Sequence, residues 1–251
     1  MAFPTPIYSQ LLTAQCEGRR QIAVLLDPDK FPYHNLSTFA DIAHRSAIDY
    51  FFVGGSLLFD NQIQRCVEAL KQVLPHIPVI LFPGNVFQIT PAADAILFLS
   101  LVSGRNPDLL IGQHVIAAPI LKRSNLEVIP TGYMLIDGGK PTTASYISNT
   151  LPLPHDKPQI AVCTAMAAEL LGMKLLYLDA GSGAQNPVSA TMIAQVAANT
   201  PLPIIVGGGI KTPAAANAAC VAGATLIVVG NVLEQNPEYM AAMANAVHFG
   251  L

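Results

Sequence analysis

Charge is scarce in this 251-residue chain: only 12% of its residues are charged, and the formal net charge is −3 at pH 7. A nucleic-acid-binding protein needs a basic stripe to neutralise phosphates, so we expect no nucleic-acid partner. The chain contains no run of about eighteen apolar residues, which is the length that a membrane-spanning helix requires. The first residues lack the basic start and apolar core of a signal peptide. The sequence therefore predicts a soluble, cytoplasmic protein.

The four cysteines are scattered without a Cys-x-x-Cys pair, and the six histidines are equally dispersed. Paired cysteines and histidines are the usual signature of zinc sites, so we expect no structural zinc. Hydrophobic residues, by contrast, make up 52% of the chain, which is enough for a large core. The length is typical of one α/β barrel, although two smaller domains would also fit. We predict one domain over residues 1–251.

Eight short apolar segments recur along the chain, mostly separated by helical patterns, with a repeat of roughly the thirty residues of a βα unit. Such alternation is typical of a parallel (β/α)8 barrel. A doubly wound sheet usually has its glycine loop after the first strand, whereas this junction is Asp-Pro-Asp-Lys (27–30). The predicted strands are 22–26, 49–53, 78–82, 95–102, 128–136, 174–178, the start of 202–213, and 224–229.

Two connections depart from the barrel pattern. Only about a dozen residues, 83–94, join the third and fourth strands, too few for a full helix with its loops, so the third barrel helix is predicted to be shortened or missing. The gap could form an apolar slot for a long hydrocarbon substrate, or a loop could pack over it. The second irregular stretch, 137–158, is predicted to be a long loop, of the kind that often forms a lid. The residues expected to line the slot are Phe82, Val86, Phe87, Ile89, Phe98 and Leu99.

Glycines follow the last two predicted strands. Gly207, Gly208 and Gly209 end the seventh, and Gly230 with Asn231 ends the eighth. The loops after these two strands commonly build the phosphate site of a (β/α)8 barrel, and residues without Cβ let backbone N–H groups approach an anion. The pattern predicts a phosphate site at the C-terminal face. The triple glycine alone would also fit a tight turn.

Acidic side chains stand at the ends of other strands. Asp27, Asp29 and the Ser56 hydroxyl form a hard-oxygen cluster of the kind that Mg²⁺ prefers, unless the two aspartates only stabilise their own turn. In the sixth strand, alternation puts Tyr177 and Asp179 on one inward face. An inward carboxylate near a phosphate site can act as a general base toward a substrate hydroxyl.

Six motifs together are specific enough to suggest a family. They are Leu-Asp-Pro-Asp-Lys (26–30), Val-Gly-Gly-Ser (53–56), Leu-Phe-Pro-Gly-Asn (81–85), Tyr-Leu-Asp-Ala-Gly-Ser-Gly-Ala (177–184), Val-Gly-Gly-Gly-Ile-Lys (206–211) and Val-Val-Gly-Asn (228–231). Nearly the whole chain resembles the geranylgeranylglyceryl phosphate synthases and their bacterial heptaprenyl-transferring relatives. The resemblance implies a modified (β/α)8 barrel without a regular third helix. It also implies a Mg²⁺-dependent enzyme that joins sn-glycerol 1-phosphate to a prenyl diphosphate through an ether bond.

The resemblance implies roles for individual residues. Asp27 and Ser56 would hold Mg²⁺ against the diphosphate, and Lys30 would help to stabilise the departing diphosphate. Asp179, where many relatives have glutamate, would accept the proton of the glycerol C3 hydroxyl, and Tyr177 would position the glycerol. The implied substrate-binding residues are Tyr177, Leu178, Asp179, Ala180, Gly181, Ser182, Gly183, Gly208, Gly209, Gly230 and Asn231.

Three other functions remain open on the sequence. A heptaprenyl transferase would use the same chemistry with a longer channel, although the length and the long loop favour the geranylgeranyl type. Another phosphate-binding barrel, such as an aldolase or isomerase acting on sugar phosphates, is disfavoured, because a Schiff-base aldolase should have an inward lysine where the sixth strand ends in Asp179. A barrel that binds phosphorylated lipids without turnover is the third. Relatives are dimers or hexamers, so we also expect a homo-oligomer, with peripheral membrane contact through the lipid product.

Overall fold

The computed structural model describes residues 6–31, 33–60 and 62–250. Residues 1–5, 32, 61 and 251 of the predicted domain lie outside the described residues. Eight parallel strands pair in sequence order and close into a barrel, with β8 against β1, so the predicted fold is confirmed. The strands are β1 (Gln21–Leu26), β2 (Tyr50–Val53), β3 (Val79–Leu81), β4 (Ala95–Leu101), β5 (Glu127–Leu135), β6 (Leu175–Asp179), β7 (Ile204–Gly207) and β8 (Leu226–Val229).

Helices form the layer outside the barrel. None of the helices in the described ranges is long and apolar enough to cross a membrane. In chain order they are α1 (Ile7–Cys16), α2 (Leu36–Arg45), α3 (Ile63–Val73), α4 (Gln113–Leu121), α5 (Thr143–Ser148), α6 (Pro158–Leu170), α7 (Ala190–Ala197), α8 (Pro213–Val221), α9 (Asn231–Gln235) and α10 (Met240–His248).

Each strand contributes alternate side chains to two hydrophobic layers, because successive Cβ atoms of a strand point to opposite faces. In β2, Tyr50 and Phe52 pack inside the barrel, whereas Phe51 and Val53 pack against the outer helices. Burial on both faces explains why the strands are continuous apolar runs in the sequence. The same alternation places Tyr177 of β6 inside the barrel, as predicted.

Helix α1 closes the N-terminal end of the barrel. Ile7 and Leu11 are buried in the inner layer. The Glu127 carboxylate accepts the N–H groups of Ile7 and Tyr8 at 2.5 and 2.9 Å, and so satisfies two donors that a helix start leaves unpaired. The N-terminal end of the barrel interior is therefore filled, and its C-terminal end is left for a cavity.

The connection between β3 and β4 contains a 3₁₀ turn, Val86–Gln88, in place of an α-helix. The predicted loss of the third barrel helix is confirmed. The Asn85 side chain starts this turn by accepting the N–H of Phe87 at 3.0 Å. The helical layer is interrupted here, and α4 forms the far wall of the gap.

The prediction of a loop over 137–158 was wrong for one segment, because α5 forms within it. Thr142 and Ser145 make a reciprocal capping box at its start: the Thr142 hydroxyl accepts the Ser145 N–H at 3.3 Å, and the Ser145 hydroxyl accepts the Thr142 N–H at 3.0 Å. This device stabilises a first turn that has no strong apolar periodicity.

Candidate active site at the C-terminal face

A polar cavity of about 1060 Å³, including its open mouth, lies at the C-terminal ends of the strands. It brings together groups from the loops after β1, β2, β6, β7 and β8. Most of the predicted site residues line it, namely Asp27, Lys30, Ser56, Tyr177, Asp179, Ser182, Gly183, Gly208, Gly209, Gly230 and Asn231. The phosphate, metal and base regions predicted separately are therefore one site.

Three of the predicted substrate-binding residues are placed elsewhere. Leu178 and Ala180 belong to the outer hydrophobic layer, because alternation along β6 turns their side chains away from the cavity. The Ala180 N–H bonds to the Gly207 carbonyl at 3.1 Å. The Gly181 N–H is also engaged, because it donates to the Asp179 carboxylate. These residues shape the loop rather than line the cavity.

Asp179 is only 6% exposed, at the end of β6. One carboxylate oxygen, Oδ2, accepts the Tyr133 hydroxyl at 2.7 Å, and the other, Oδ1, accepts the Gly181 N–H at 2.7 Å. Burial raises the pKa of Asp179, and the two hydrogen bonds partly oppose that rise. A carboxylate with a raised pKa and a fixed orientation is suited to accept a proton.

Tyr133 is a site residue that the sequence analysis missed. It pairs with Tyr177 in the β5–β6 register, and its ring stands edge-on to Tyr177 at 5.6 Å between centroids. Phe82 stacks on Tyr177 at 4.9 Å, so Tyr133, whose hydroxyl contacts Asp179, belongs to a cluster of three aromatic rings. The alternation of residues along β5 predicts that the Tyr133 side chain points into the barrel. Its hydrogen bond with Asp179 depends on the register between β5 and β6, which the sequence does not reveal.

The glycine loops line the cavity together with Asp179. Gly208 has φ +76°, and a Cβ there would lie 2.5 Å from both Asp179 Oδ1 and the Gly181 nitrogen. Only glycine tolerates this combination of conformation and contact. Across the loops, the Ser182 hydroxyl donates to Asn231 Oδ1 at 3.1 Å. Lys211 lines the same cavity and supplies a positive charge.

The loop after β1 carries an ion pair at another edge of the cavity. Lys30 Nζ lies 2.8 Å from Asp27 Oδ2, and the hydrogen bond to Asp27 raises the pKa of Lys30. Glu234, on α9, accepts the Asp27 N–H at 3.1 Å and lines the cavity; its burial raises its pKa. Glu234 was not predicted as a site residue from the sequence, in which it is 207 residues from Asp27.

The prediction that Asp29 belongs to the hard-oxygen cluster with Asp27 and Ser56 was wrong. Its carboxylate accepts the N–H groups of Phe59 and Asp60 at 2.7 and 3.4 Å and does not line the cavity. The 3₁₀ turn Pro28–Lys30 separates its direction from that of Asp27. Asp29 therefore orders the loop after β2, and Asp27 and Ser56 remain as candidate ligands.

The side chains of Asp27 and Ser56 fit a magnesium ion that is bound together with a phosphorylated ligand. Within the described ranges, no three or more His, Cys, Asp or Glu side chains come together as a metal-binding group. Mg²⁺, however, commonly takes one or two carboxylates and completes its octahedron with water and substrate phosphate. One carboxylate and one hydroxyl at the cavity edge match that requirement.

An apolar groove of about 920 Å³, including its mouth, occupies the gap left by the missing helix. Phe82, Val86, Ile89, Phe98 and Leu99 line it as predicted, so the slot is confirmed. Phe87 does not line it and is 77% exposed, because the 3₁₀ turn directs its side chain outward. The far wall comes from α4, through His114, Ala117 and Leu121. Gly55, Ser56, Phe82 and Ala144 line both groove and cavity, which therefore adjoin each other.

The fold and the site define a class: a (β/α)8 barrel whose C-terminal face carries a glycine-lined polar cavity beside an apolar groove. The PcrB family matches residues 16–248. The geranylgeranylglyceryl phosphate synthase of Spirosoma linguale is 55% identical over 92% of each chain, and that of Chitinophaga pinensis is 52% identical over 96% of each chain. The chain belongs to the PcrB family, the family of these synthases, as its motifs predicted.

A solved structure agrees with this assignment. The crystal structure of (S)-3-O-geranylgeranylglyceryl phosphate synthase from Thermoplasma acidophilum, in complex with its substrate sn-glycerol-1-phosphate, has a TM-score of 0.90. The two sequences are 30% identical, and the match covers 97% of this chain and 99% of that chain. The barrel described above is thus the fold of that enzyme.

Proposed function

We propose that this protein is a prenyltransferase that joins the C3 hydroxyl of sn-glycerol 1-phosphate to geranylgeranyl diphosphate through an ether bond and releases diphosphate. The observation that carries the proposal is that the polar cavity and the apolar groove adjoin, with Ser56 and Phe82 in the walls of both. The names of the relatives at 52% and 55% identity support the choice of both substrates.

In this proposal the phosphate of sn-glycerol 1-phosphate lies against the backbone of Gly208, Gly209 and Gly230, where no Cβ blocks it. Lys211 adds a positive charge at the same end of the cavity. The glycerol extends past Tyr177, and its C3 hydroxyl reaches Asp179. Binding by fixed N–H groups holds the nucleophile in place without flexible side chains, which reduces the entropy that the reaction must lose.

Bond formation follows from the position of Asp179. The C3 oxygen attacks C1 of the prenyl group, the bond between C1 and the diphosphate oxygen breaks, and its electron pair leaves with the diphosphate. Asp179 takes the proton of the C3 hydroxyl. Its hydrogen bonds with Tyr133 and Gly181 keep the carboxylate oriented toward the cavity.

The leaving diphosphate occupies the edge formed by Asp27, Lys30 and Ser56. Mg²⁺ bound there would neutralise the charge that develops on the diphosphate, and Asp27 and Ser56 would hold it. Lys30, oriented by its ion pair with Asp27 at 2.8 Å, adds a second positive charge. The groove binds the prenyl tail, because each buried CH₂ contributes about 0.8 kcal/mol, and its apolar wall keeps water away from the reacting carbon.

A product assay tests this function. The protein is incubated with Mg²⁺, sn-glycerol 1-phosphate and either the C20 or the C35 prenyl diphosphate, and the ether product is quantified. We expect an ether product when sn-glycerol 1-phosphate and a prenyl diphosphate are both present. We expect the kcat/KM to be higher for the C20 than for the C35 diphosphate. Preference for C35 would assign the heptaprenyl alternative, and binding of both ligands without an ether product would assign a binding protein.

Asp27→Asn tests the metal end. We expect this change to raise the Mg²⁺ concentration for half-maximal rate by about tenfold, equivalent to ~1.4 kcal/mol, because it removes the carboxylate charge facing the metal. Metal titration of the initial rate measures it. Asp29→Asn is the matched control, because Asp29 faces the backbone of Phe59 and Asp60 instead. Equal effects of the two changes would contradict the assignment of Asp27.

Ala117→Phe tests the groove. Ala117 is 4% exposed on α4 and lines the groove, so a phenyl ring there removes space for the far end of the tail. Displacing two methylenes costs about 1.6 kcal/mol, so we expect kcat/KM for the C20 donor to fall by about tenfold relative to a C10 donor. Ala194→Phe, at an exposed position on α7, is the control. An unchanged C20 to C10 ratio would place the tail elsewhere.

We also propose that the protein forms a homo-oligomer through the outer face of α4. This helix carries no Asp, Glu, Lys or Arg, and its Val115, Ile116 and Ile120 are 65%, 57% and 44% exposed. A contiguous exposed apolar face is typical of an interface. We expect light scattering to give a dimer or hexamer for the wild type and a smaller mass for Ile116→Lys. A monomeric wild type would contradict the proposal.

A further inference from the structure

Gln88 has no role in the reaction described above, yet its side chain is the most fully bonded in the connection that replaces the third helix. It is 1% exposed. Its Oε1 accepts the N–H of Gly84 at 3.0 Å and that of Gly55 at 3.3 Å, and its Nε2 donates to the Gly55 carbonyl at 2.7 Å. One amide therefore joins the loop after β3 to the loop after β2.

The two loops that Gln88 joins are packed backbone against backbone. A Cβ on Gly84 would lie 2.3 Å from the Gly55 carbonyl oxygen, and a Cβ on Gly54 would lie 2.1 Å from that of Phe82. The backbones of the two loops are therefore in direct contact. The Gln88 amide thus fixes the peptide of Gly55, which directly precedes Ser56.

Ser56 depends on this peptide for its position. It lines both the polar cavity and the groove. Among the described residues, no side-chain or backbone group forms a hydrogen bond with the Ser56 hydroxyl. The position of the Ser56 hydroxyl relative to Asp27 is therefore determined by the local backbone. The Gln88 side chain fixes that backbone through its hydrogen bonds with Gly55.

We propose that Gln88 is a positioning residue for the diphosphate end of the site: it holds the Gly55 peptide so that the Ser56 hydroxyl faces the metal–diphosphate group. This inference rests on the proposed function. Replacing a residue that orients a metal ligand without contacting the metal commonly lowers metal affinity or activity by about 10- to 100-fold. Gln88 acts through Gly55 and Ser56, so its effect falls on the diphosphate end and not on the glycines around Gly208.

The test compares Gln88→Met and Gln88→Glu with the wild type. Methionine keeps the length and loses all three hydrogen bonds, whereas glutamate keeps an acceptor and loses, when ionised, the donor to Gly55. Calorimetry with Mg²⁺–pyrophosphate and, separately, with sn-glycerol 1-phosphate measures binding at the two ends without turnover. The KM values for both substrates and the thermal unfolding midpoint are measured alongside.

We expect Gln88→Met to weaken Mg²⁺–pyrophosphate binding by at least about tenfold and to raise the KM for the prenyl diphosphate similarly. Gln88→Glu has a smaller effect, and glycerol 1-phosphate affinity changes less than twofold in both. Thr90→Val is the control, because Thr90 is similarly buried in the same connection and its hydroxyl, among the described residues, accepts the Ala92 N–H alone. It should lower the unfolding midpoint and leave both affinities unchanged.

The inference is overturned if both Gln88 variants bind Mg²⁺–pyrophosphate as the wild type does, or if affinity for glycerol 1-phosphate falls by the same factor. If Gln88→Met does not fold, Gln88→Glu decides by the same criterion. Failure of the proposed function has a different signature: the wild type itself then gives no ether product.

Discussion

Asp179→Asn is expected to lower kcat by a factor of about 10²–10⁴, the usual contribution of a general base, and to leave the dissociation constant of sn-glycerol 1-phosphate nearly unchanged. The amide has almost the shape of the carboxylate, and its oxygen can still accept the Gly181 N–H, so the loop is preserved. What it cannot do is take the proton of the C3 hydroxyl. Single-turnover rates and calorimetry on the same preparation separate the two effects.

The pH dependence of the rate provides a second readout of Asp179. Burial raises its pKa above the ordinary 3.8 of an aspartate, and the group accepts a proton only when ionised. The rate of the wild type therefore falls as the pH drops through that raised pKa. We expect this acid limb to be absent from Asp179→Asn.

Asp137→Asn is the matched control for this prediction. Asp137 also follows a strand end, but its carboxylate accepts the Gly139 N–H at 2.9 Å and does not line the cavity. We expect it to keep kcat within about twofold of the wild type, well below the 10² of a lost base. An Asp179→Asn protein with more than about a tenth of the wild-type kcat would show that another group takes the proton.

Gly208→Ala is expected to weaken sn-glycerol 1-phosphate binding by at least about 100-fold, or ~2.7 kcal/mol. The added methyl would lie 2.5 Å from Asp179 Oδ1 and from the Gly181 nitrogen, so both the loop and the base must move. Such a movement displaces the backbone against which the phosphate is proposed to lie. Calorimetry measures the affinity, and thermal unfolding measures the cost to the fold.

Gly172→Ala separates the strain of the backbone from the blocked site. Gly172 has φ +84°, similar to the +76° of Gly208, but a Cβ there meets no atom within 4 Å. A left-handed conformation alone costs about 1–3 kcal/mol of stability. We expect Gly172→Ala to lower the unfolding midpoint and to retain full ligand affinity. If Gly208→Ala also retains full affinity for sn-glycerol 1-phosphate, the glycines after β7 form a tight turn and do not bind the phosphate.

The fold was predictable because its signal is local. Strands buried on both faces are short apolar runs, and seven of the eight were predicted within two residues of their observed bounds. The missing helix followed from residue counting between β3 and β4. The failure at α5 has a local cause as well, since a capping box between Thr142 and Ser145 starts a helix without an apolar stripe.

The site was predictable only in part, because much of it depends on register and loop direction. Glycines and acids at strand ends could be read from the sequence, since parallel strands bring those ends together. The contact of Tyr133 with Asp179 spans 46 residues and depends on how β5 pairs with β6. Asp29 is two residues from Asp27 and still faces another loop, which spacing alone does not determine.

A crystal structure of this protein with sn-glycerol 1-phosphate tests the central claim most directly. The account predicts the phosphorus atom beside the backbone of Gly208, Gly209 and Gly230, with the C3 hydroxyl within hydrogen-bond distance of the Asp179 carboxylate and directed toward Phe82 and the groove. A phosphate bound at the Asp27 edge, or a C3 hydroxyl turned away from Asp179, would contradict it.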